Sequence, residues 1–240
     1  MRLDLYLLNN GYFDSRNKAQ YEIKKGNVFV NGSPILKSSH EVSDTDIIEL
    51  NHDNELKYVS KGGLKLEKAL SYYKINPNNL VCLDIGSSTG GFTDCLIKNG
   101  ASLVYAVDTG SNQLHESLKN NKKVISKENT NYLDLDSSKL NKIDLVVIDV
   151  SFVRVETILE KVINDFKEVK VIALIKPQFE LGKVYIKNGV VKDPKLHKMV
   201  IENIKSFLEL KNIKYKDIIE SPILGGSGNK EFLISFDLWE

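Results

Sequence analysis

Residues 81–94, Val-Cys-Leu-Asp-Ile-Gly-Ser-Ser-Thr-Gly-Gly-Phe-Thr-Asp, constrain the fold more than any other stretch. The apolar run from Leu80 to Ile85 reads as a buried strand. A turn of small residues follows, Gly86 to Gly91, and Phe92 to Asn99 reads as an amphipathic helix. Strand, glycine-rich turn and helix form the first unit of a nucleotide-binding α/β sheet. Glycines in such a turn let the backbone approach a ligand, and the helix start offers unpaired N–H groups. The spacing is Gly-x-Ser-x-Gly-Gly, not Gly-x-Gly-x-x-Gly. That departure disfavours a dinucleotide and favours a smaller adenosyl ligand. A plain tight turn is the alternative.

The residues that follow repeat the alternation. Leu103–Val107 reads as strand two and ends at Asp108; Val124–Ser126 is a weak strand three. Asp144–Asp149 is strand four, and Val169–Ile175 is strand five, ending at Lys176-Pro177. Helices are expected over Glu156–Phe166 and Leu196–Leu210, and two last strands over Tyr215–Glu220 and Glu231–Phe236. Near-continuous apolar strands imply a mostly parallel, Rossmann-like α/β sheet of about seven strands covered on both faces.

A smaller α+β module is expected over residues 1–56. Leu3, Tyr6 and Leu7 have helical spacing, and Gly11 stops that helix. Ser15 suits the N-cap of a second helix that runs to Lys25 with Ala19 and Ile23 inward. Val28–Val30 reads as a strand, Asn31-Gly32 as a hairpin turn, and Ile47–Leu50 as a closing strand. Residues 1–40 hold six basic and three acidic side chains, whereas residues 41–56 hold six acidic and no basic ones. The helix pair therefore carries the positive face; a solvated face is the bland reading. Residues 57–60 read as a linker. Ser60–Leu66 opens a helix with Leu66, Ala69, Leu70 and Tyr73 on one face, beginning the larger domain over 61–240.

Composition excludes several classes. Net charge is +1, so only local charge supports nucleic-acid binding. Two cysteines imply no disulfide framework and a reducing interior. Asp4 interrupts the apolar run a signal peptide would need, and no run approaches the roughly 18 residues of a membrane span. A soluble, cytoplasmic protein without stable membrane association is expected. That argues against a membrane-lytic activity, which would also need a long basic amphipathic helix.

In an open α/β sheet, ligands bind beyond the carboxyl ends of the strands. Asp84 and the turn after strand one, Asp108, Asp149 and Lys176 stand there. Asp108, a little over 20 residues past the glycine turn, suits the ribose hydroxyls of an adenosyl group. Asn131 suits the adenine edge; a loop asparagine is the alternative. Asp149 beside Lys176 would stabilise both ions, and a partly desolvated lysine can serve as a base. Lys65 and Glu231 are distant in sequence and, as isolated residues, read as surface charges.

Two resemblances bear on these choices. Arg2-Leu-Asp4, Ser15-Arg-x-Lys-Ala19 and Gly26-x-Val-x-Val-Asn-Gly32 resemble the alpha-L, or S-four type, RNA-binding module of a small-subunit ribosomal protein. That resemblance implies phosphate contacts from Arg2, Arg16, Lys18, Lys24 and Lys25, with Lys61 continuing the positive charge. Asp84-Ile-Gly-Ser-Ser-Thr-Gly-Gly-Phe-Thr93, Val147–Phe152, Ile175-Lys-Pro-Gln-Phe-Glu180 and Ser227-Gly-Asn-Lys-Glu-Phe232 resemble the TlyA family, called haemolysins by history, over nearly the whole chain. Those proteins are similar to FtsJ-type ribose methyltransferases with an RNA-binding module in front. The family's Lys–Asp–Lys–Glu tetrad falls on Lys65, Asp149, Lys176 and Glu231. The resemblance implies 2′-O-methylation of ribose, of a cytidine, in ribosomal RNA or ribosomal subunits, with no metal. It also implies S-adenosyl-L-methionine held by Asp84, Gly86, Ser88, Thr89, Gly90, Gly91, Phe92, Asp108, Asn131 and Asp149. The connector departs from the family's Arg-x-Trp-Val: here it is Leu56-Lys-Tyr-Val59. The alternatives are an RNA-binding assembly factor with an inactive methyltransferase fold and a nicotinamide dehydrogenase. Ser88, in place of the second glycine, and Lys176-Pro177 count against the latter.

Overall fold

A computed structural model of the chain describes residues 1–50, 57–186 and 189–239. Leu56 of the divergent connector lies outside them. The chain divides into two units, Met1–Lys57 and Tyr58–Glu240. The expected linker is thus split: Lys57 ends the first unit, and Tyr58 is buried in the second.

In the first unit, helix α1 (Leu3–Asn9) packs on helix α2 (Arg16–Lys24). Ser15 caps α2 as expected, its hydroxyl accepting from Lys18 N at 3.3 Å. Three short strands follow: β1 (Val28–Val30), β2 (Ser33–Pro34) and β3 (Ile48–Leu50). They form an antiparallel sheet in the order β2-β1-β3. Asn31 and Gly32 take φ +51° and +76°, the paired left-handed residues of a tight hairpin. Leu3, Leu7, Ala19, Ile23, Val28, Val30 and Val42 form its core.

The second unit opens with helix α3 (Gly62–Tyr73). Strand β4 (Val81–Ile85), helix α4 (Gly91–Lys98), strand β5 (Leu103–Val107), short helix α5 (Glu116–Lys119) and strand β6 (Val124–Lys127) follow. Next come strand β7 (Leu145–Ile148), helix α6 (Val155–Asp165), strand β8 (Val169–Ile175) and short helix α7 (Pro177–Glu180). Helix α8 (Pro194–Leu210) and strands β9 (Ile219–Glu220) and β10 (Phe232–Leu238) complete it. The seven-stranded sheet has the order β6-β5-β4-β7-β8-β10-β9. Strands β4 to β8 run parallel, and β10 returns antiparallel along the whole of β8. Two apolar clusters cover its faces, one led by α6 and α8, the other by α3 and α4.

The expected strand Tyr215–Glu220 is a correction. Only Ile219–Glu220 joins the ladder, with an isolated bridge at Tyr215. The Asp217 carbonyl is taken instead by the hydroxyl of buried Tyr73, at 2.9 Å, so the backbone leaves the sheet there. No helix among the described residues is long and apolar enough to cross a membrane.

Candidate active site

Strand order reverses between β4 and β7, and a crevice opens at such a switch point, outside the carboxyl ends of the strands. The glycine turn after β4 is shaped by its neighbours. Gly86 has φ +86°, and a Cβ there would stand 2.5 Å from the Asp149 carbonyl oxygen. Only glycine lets the two strand ends come so close. Asp108 ties the turn to the end of β5: its Oδ2 accepts from Ser88 N at 2.8 Å and its Oδ1 from Gly110 N at 2.7 Å. An ionised carboxylate offers about four acceptor positions, so two remain for a diol.

Asp84 behaves differently. It is fully buried, and its Oδ2 accepts from Thr93 Oγ1 at 2.6 Å, while Oδ1 has no hydrogen-bond partner. Desolvation lifts its carboxyl to about 7; the Thr93 hydrogen bond opposes this and the Asp149 charge adds to it. Asp84 thus braces the start of α4 against β4, and neither it nor Gly90 lines the cavities beside the turn. Gly90, at φ +96°, is pressed by Leu114 and Leu118 instead.

One cavity, of about 310 Å³, is lined by Gly86, Ser88, Asp108, Asn131, Tyr132 and the segment Asp149–Val153, among others. Asn131 is exposed there, and its Oδ1 already accepts from Leu133 N at 3.1 Å. Its NH2 group remains for a ligand. A second cavity, of about 390 Å³, shares Gly86, Ser88, Asp149 and Ser151 with the first. It adds Lys61, Lys65, Thr89, Gly91, Phe92 and Lys176. Lys61, expected to touch RNA, lines this cavity of the second unit.

Two lysine–carboxylate pairs stand at that second cavity. Lys176 Nζ lies 2.6 Å from Asp149 Oδ1 as an ion pair and donates to Ser151 Oγ at 2.9 Å. Lys65 Nζ donates to Glu231 Oε2 at 2.6 Å, across 166 residues of chain. Read alone, Lys65 and Glu231 suggested surface charges; they are 8% and 2% exposed. Each buried charge is matched by an opposite one, as burial requires. Gly225 makes room for Glu231, since a Cβ there would stand 2.2 Å from its Oε1.

Sequence reasoning missed several supporting residues. Ser151 lines both cavities and binds Lys176. Phe152 is 92% exposed with φ +66° and packs beside Phe179, ring centroids 5.1 Å apart. Glu180 accepts from Val155 N at 2.8 Å and so caps α6, the helix after the Asp149–Val153 segment. Asn229 is buried; its Oδ1 accepts from Val191 N at 2.9 Å and its Nδ2 donates to the Gly189 carbonyl at 2.8 Å, beside the segment that carries Glu231. All four lie in the quoted motif strings, which was their one signal. Among the described residues, no cluster of three or more His, Cys, Asp or Glu stands where it could hold a metal ion.

Comparison with known proteins gives the family. The family described as FtsJ-like methyltransferase matches residues 58–238, and the S4 domain matches residues 1–48. Hemolysin A of Brachyspira hyodysenteriae is 41% identical over 240 residues, 98% of this chain and 99% of that one. The 16S/23S rRNA (cytidine-2′-O)-methyltransferase TlyA of Mycobacterium tuberculosis is 36% identical over 236 residues, 97% of this chain and 88% of that one. The solved structure of a provisionally named hemolysin from Streptococcus thermophilus superposes with a TM-score of 0.78 at 36% identity, covering 100% of this chain and 89% of that one. The chain therefore belongs to the FtsJ-like methyltransferase family, in the TlyA and hemolysin A branch that carries an S4 domain before the catalytic domain.

Proposed function

We propose that this protein methylates the 2′-hydroxyl of a cytidine ribose in ribosomal RNA, with S-adenosyl-L-methionine as methyl donor, on ribosomal particles in the cytoplasm. The observation that carries this reading is the pair of lysine–carboxylate ion pairs at one cavity, continuous in lining with a second at the sheet's switch point. The TlyA relative's name supplies the substrate. The residues present fit the donor. Asp108 keeps acceptor capacity for ribose hydroxyls, and Asn131 keeps its NH2 for a base edge. Gly86 clears the floor where a side chain would intrude.

When bound, S-adenosyl-L-methionine supplies a methyl group already activated on a sulfonium. The chain's work is to hold and deprotonate the acceptor. As the 2′-hydroxyl oxygen attacks the methyl group, its proton passes to Lys176 while Lys176 gives the proton of its ion pair to Asp149. Asp149 and Ser151 fix where its nitrogen sits. Lys65, an ammonium anchored by Glu231, steadies the negative charge that develops on oxygen. Phe152, exposed at the lip of the cavity, offers an aromatic face to an unstacked base. The S4 domain holds RNA through phosphate contacts from Arg2, Arg16, Lys18, Lys24 and Lys25.

The test is chemical. Purified protein, labelled methyl donor and ribosomal subunits are incubated, and the RNA is digested to nucleosides for mass spectrometry. The expected product is 2′-O-methylcytidine. Label on a base, or no label with any ribosomal substrate, would overturn the reading.

A further inference from the structure

The first unit contains a charged cluster that phosphate binding alone does not explain. Asp4 lies in the first turn of α1 and is fully buried. Its carboxylate receives four hydrogen bonds. Arg2 donates twice, Nε to Oδ1 and Nη2 to Oδ2, both at 3.0 Å. Arg16 Nε donates to Oδ2 at 3.0 Å, and Gln20 Nε2 to the same oxygen at 2.6 Å. Arg2 is the N-cap of α1, and Arg16 is the first residue of α2, so one acid joins the starts of both helices.

The arginines are not buried with it: their side chains are 44% and 45% exposed. A guanidinium has five N–H donors. Asp4 takes two from Arg2 and one from Arg16, leaving most of each fork unspent. Two cations against one anion leave the cluster with positive charge. An unrestrained arginine would lose its rotamer freedom at the binding step; these two have lost it already.

We infer that Asp4 is a positioning residue for RNA recognition: it clamps Arg2 and Arg16 into a fixed pair of guanidiniums that together take a phosphodiester of structured RNA. This rests on the reading of the first unit as the RNA-binding unit. Planar forks suit phosphate oxygens two at a time, and a fixed pair reads backbone shape as well as charge.

The substitution Asp4→Asn separates position from charge by sign. It removes a negative charge next to the phosphate site, so electrostatics alone would strengthen RNA binding. Asparagine accepts through one oxygen only and presents an NH2 to the arginines, so the clamp opens. Affinity for ribosomal RNA at fixed salt is expected to fall about tenfold, the loss when two side chains must be ordered on binding. The full-length chain is used, with circular dichroism and methyl-donor affinity as controls for folding. A double-mutant cycle supplies the readout that a merely structural role would not move. In an Arg2→Ala, Arg16→Ala background, Asp4→Asn is expected to cost almost nothing further. Affinity unchanged or raised in the single variant overturns the clamp. So does an equal loss in both backgrounds, which would mark Asp4 as structural. If Arg2→Ala, Arg16→Ala itself leaves RNA affinity unchanged, the RNA-binding reading fails, and the clamp with it.

Discussion

Glu180 shows how a single carboxyl ties pH to the site's support. Its side chain is buried and caps α6 through Val155 N. Burial pushes its carboxyl up to about 7 from an ordinary 4.5; the Val155 hydrogen bond opposes this, the Glu156 charge adds to it and Arg154 opposes it. Between those values the folded state binds more proton than the unfolded chain. Stability therefore falls as pH rises through that window, and the loss is complete above about 7. Glu180→Gln keeps an acceptor for Val155 and removes the titration. The difference in Tm between pH 5 and pH 8 should shrink in the variant; an unchanged difference would contradict the assignment. Residues of this kind are poorly legible in a sequence. Glu180 was visible only as the end of a motif string, and Asp4 only as the end of another and as a break in an apolar run. Lys65 and Glu231 are paired by a fold that brings α3 beside β10, which local spacing does not encode.

At the scale of elements, hydrophobic pattern carried far more. Strands β4, β5, β7 and β8 are buried on both faces, so their apolar runs are nearly unbroken and mark their own limits. Strand β9 failed that test, because the hydrogen bonds of residues 215–218 are settled by distant partners, Tyr73 among them. Sheet order and the reversal of β10 are likewise long-range facts. The turn between β4 and α4 was legible because backbone geometry demands glycine. Gly86→Ala should therefore be severe. The added methyl meets the Asp149 backbone oxygen, which has no rotamer to escape into, and φ +86° disfavours any side chain. We expect a loss of about 1–3 kcal/mol in stability by denaturant titration, together with loss of methyl-donor binding by calorimetry. Wild-type affinity in Gly86→Ala would mean that the turn does not bind the donor.

For the whole molecule, net charge of +1 conceals a division of labour. The exposed lysines of α2 belong to the first unit, and the ion pairs of the cavity to the second. Lys18→Ala, Lys24→Ala should weaken RNA binding and flatten its salt dependence by about one to two units of log–log slope. Affinity for the methyl donor should not change, and a matched loss in both would contradict the division.

The central claim is that Lys65, Asp149, Lys176 and Glu231 act as one reaction centre on the ribose hydroxyl. Single-turnover methyl transfer to ribosomal subunits by Lys176→Ala, with donor and RNA affinities measured on the same preparation, tests it most directly. The account predicts both affinities within about threefold of wild type and a rate lower by about 10²–10⁴-fold, the usual worth of a positioned base. Methyl transfer by Lys176→Ala at the wild-type rate would contradict it.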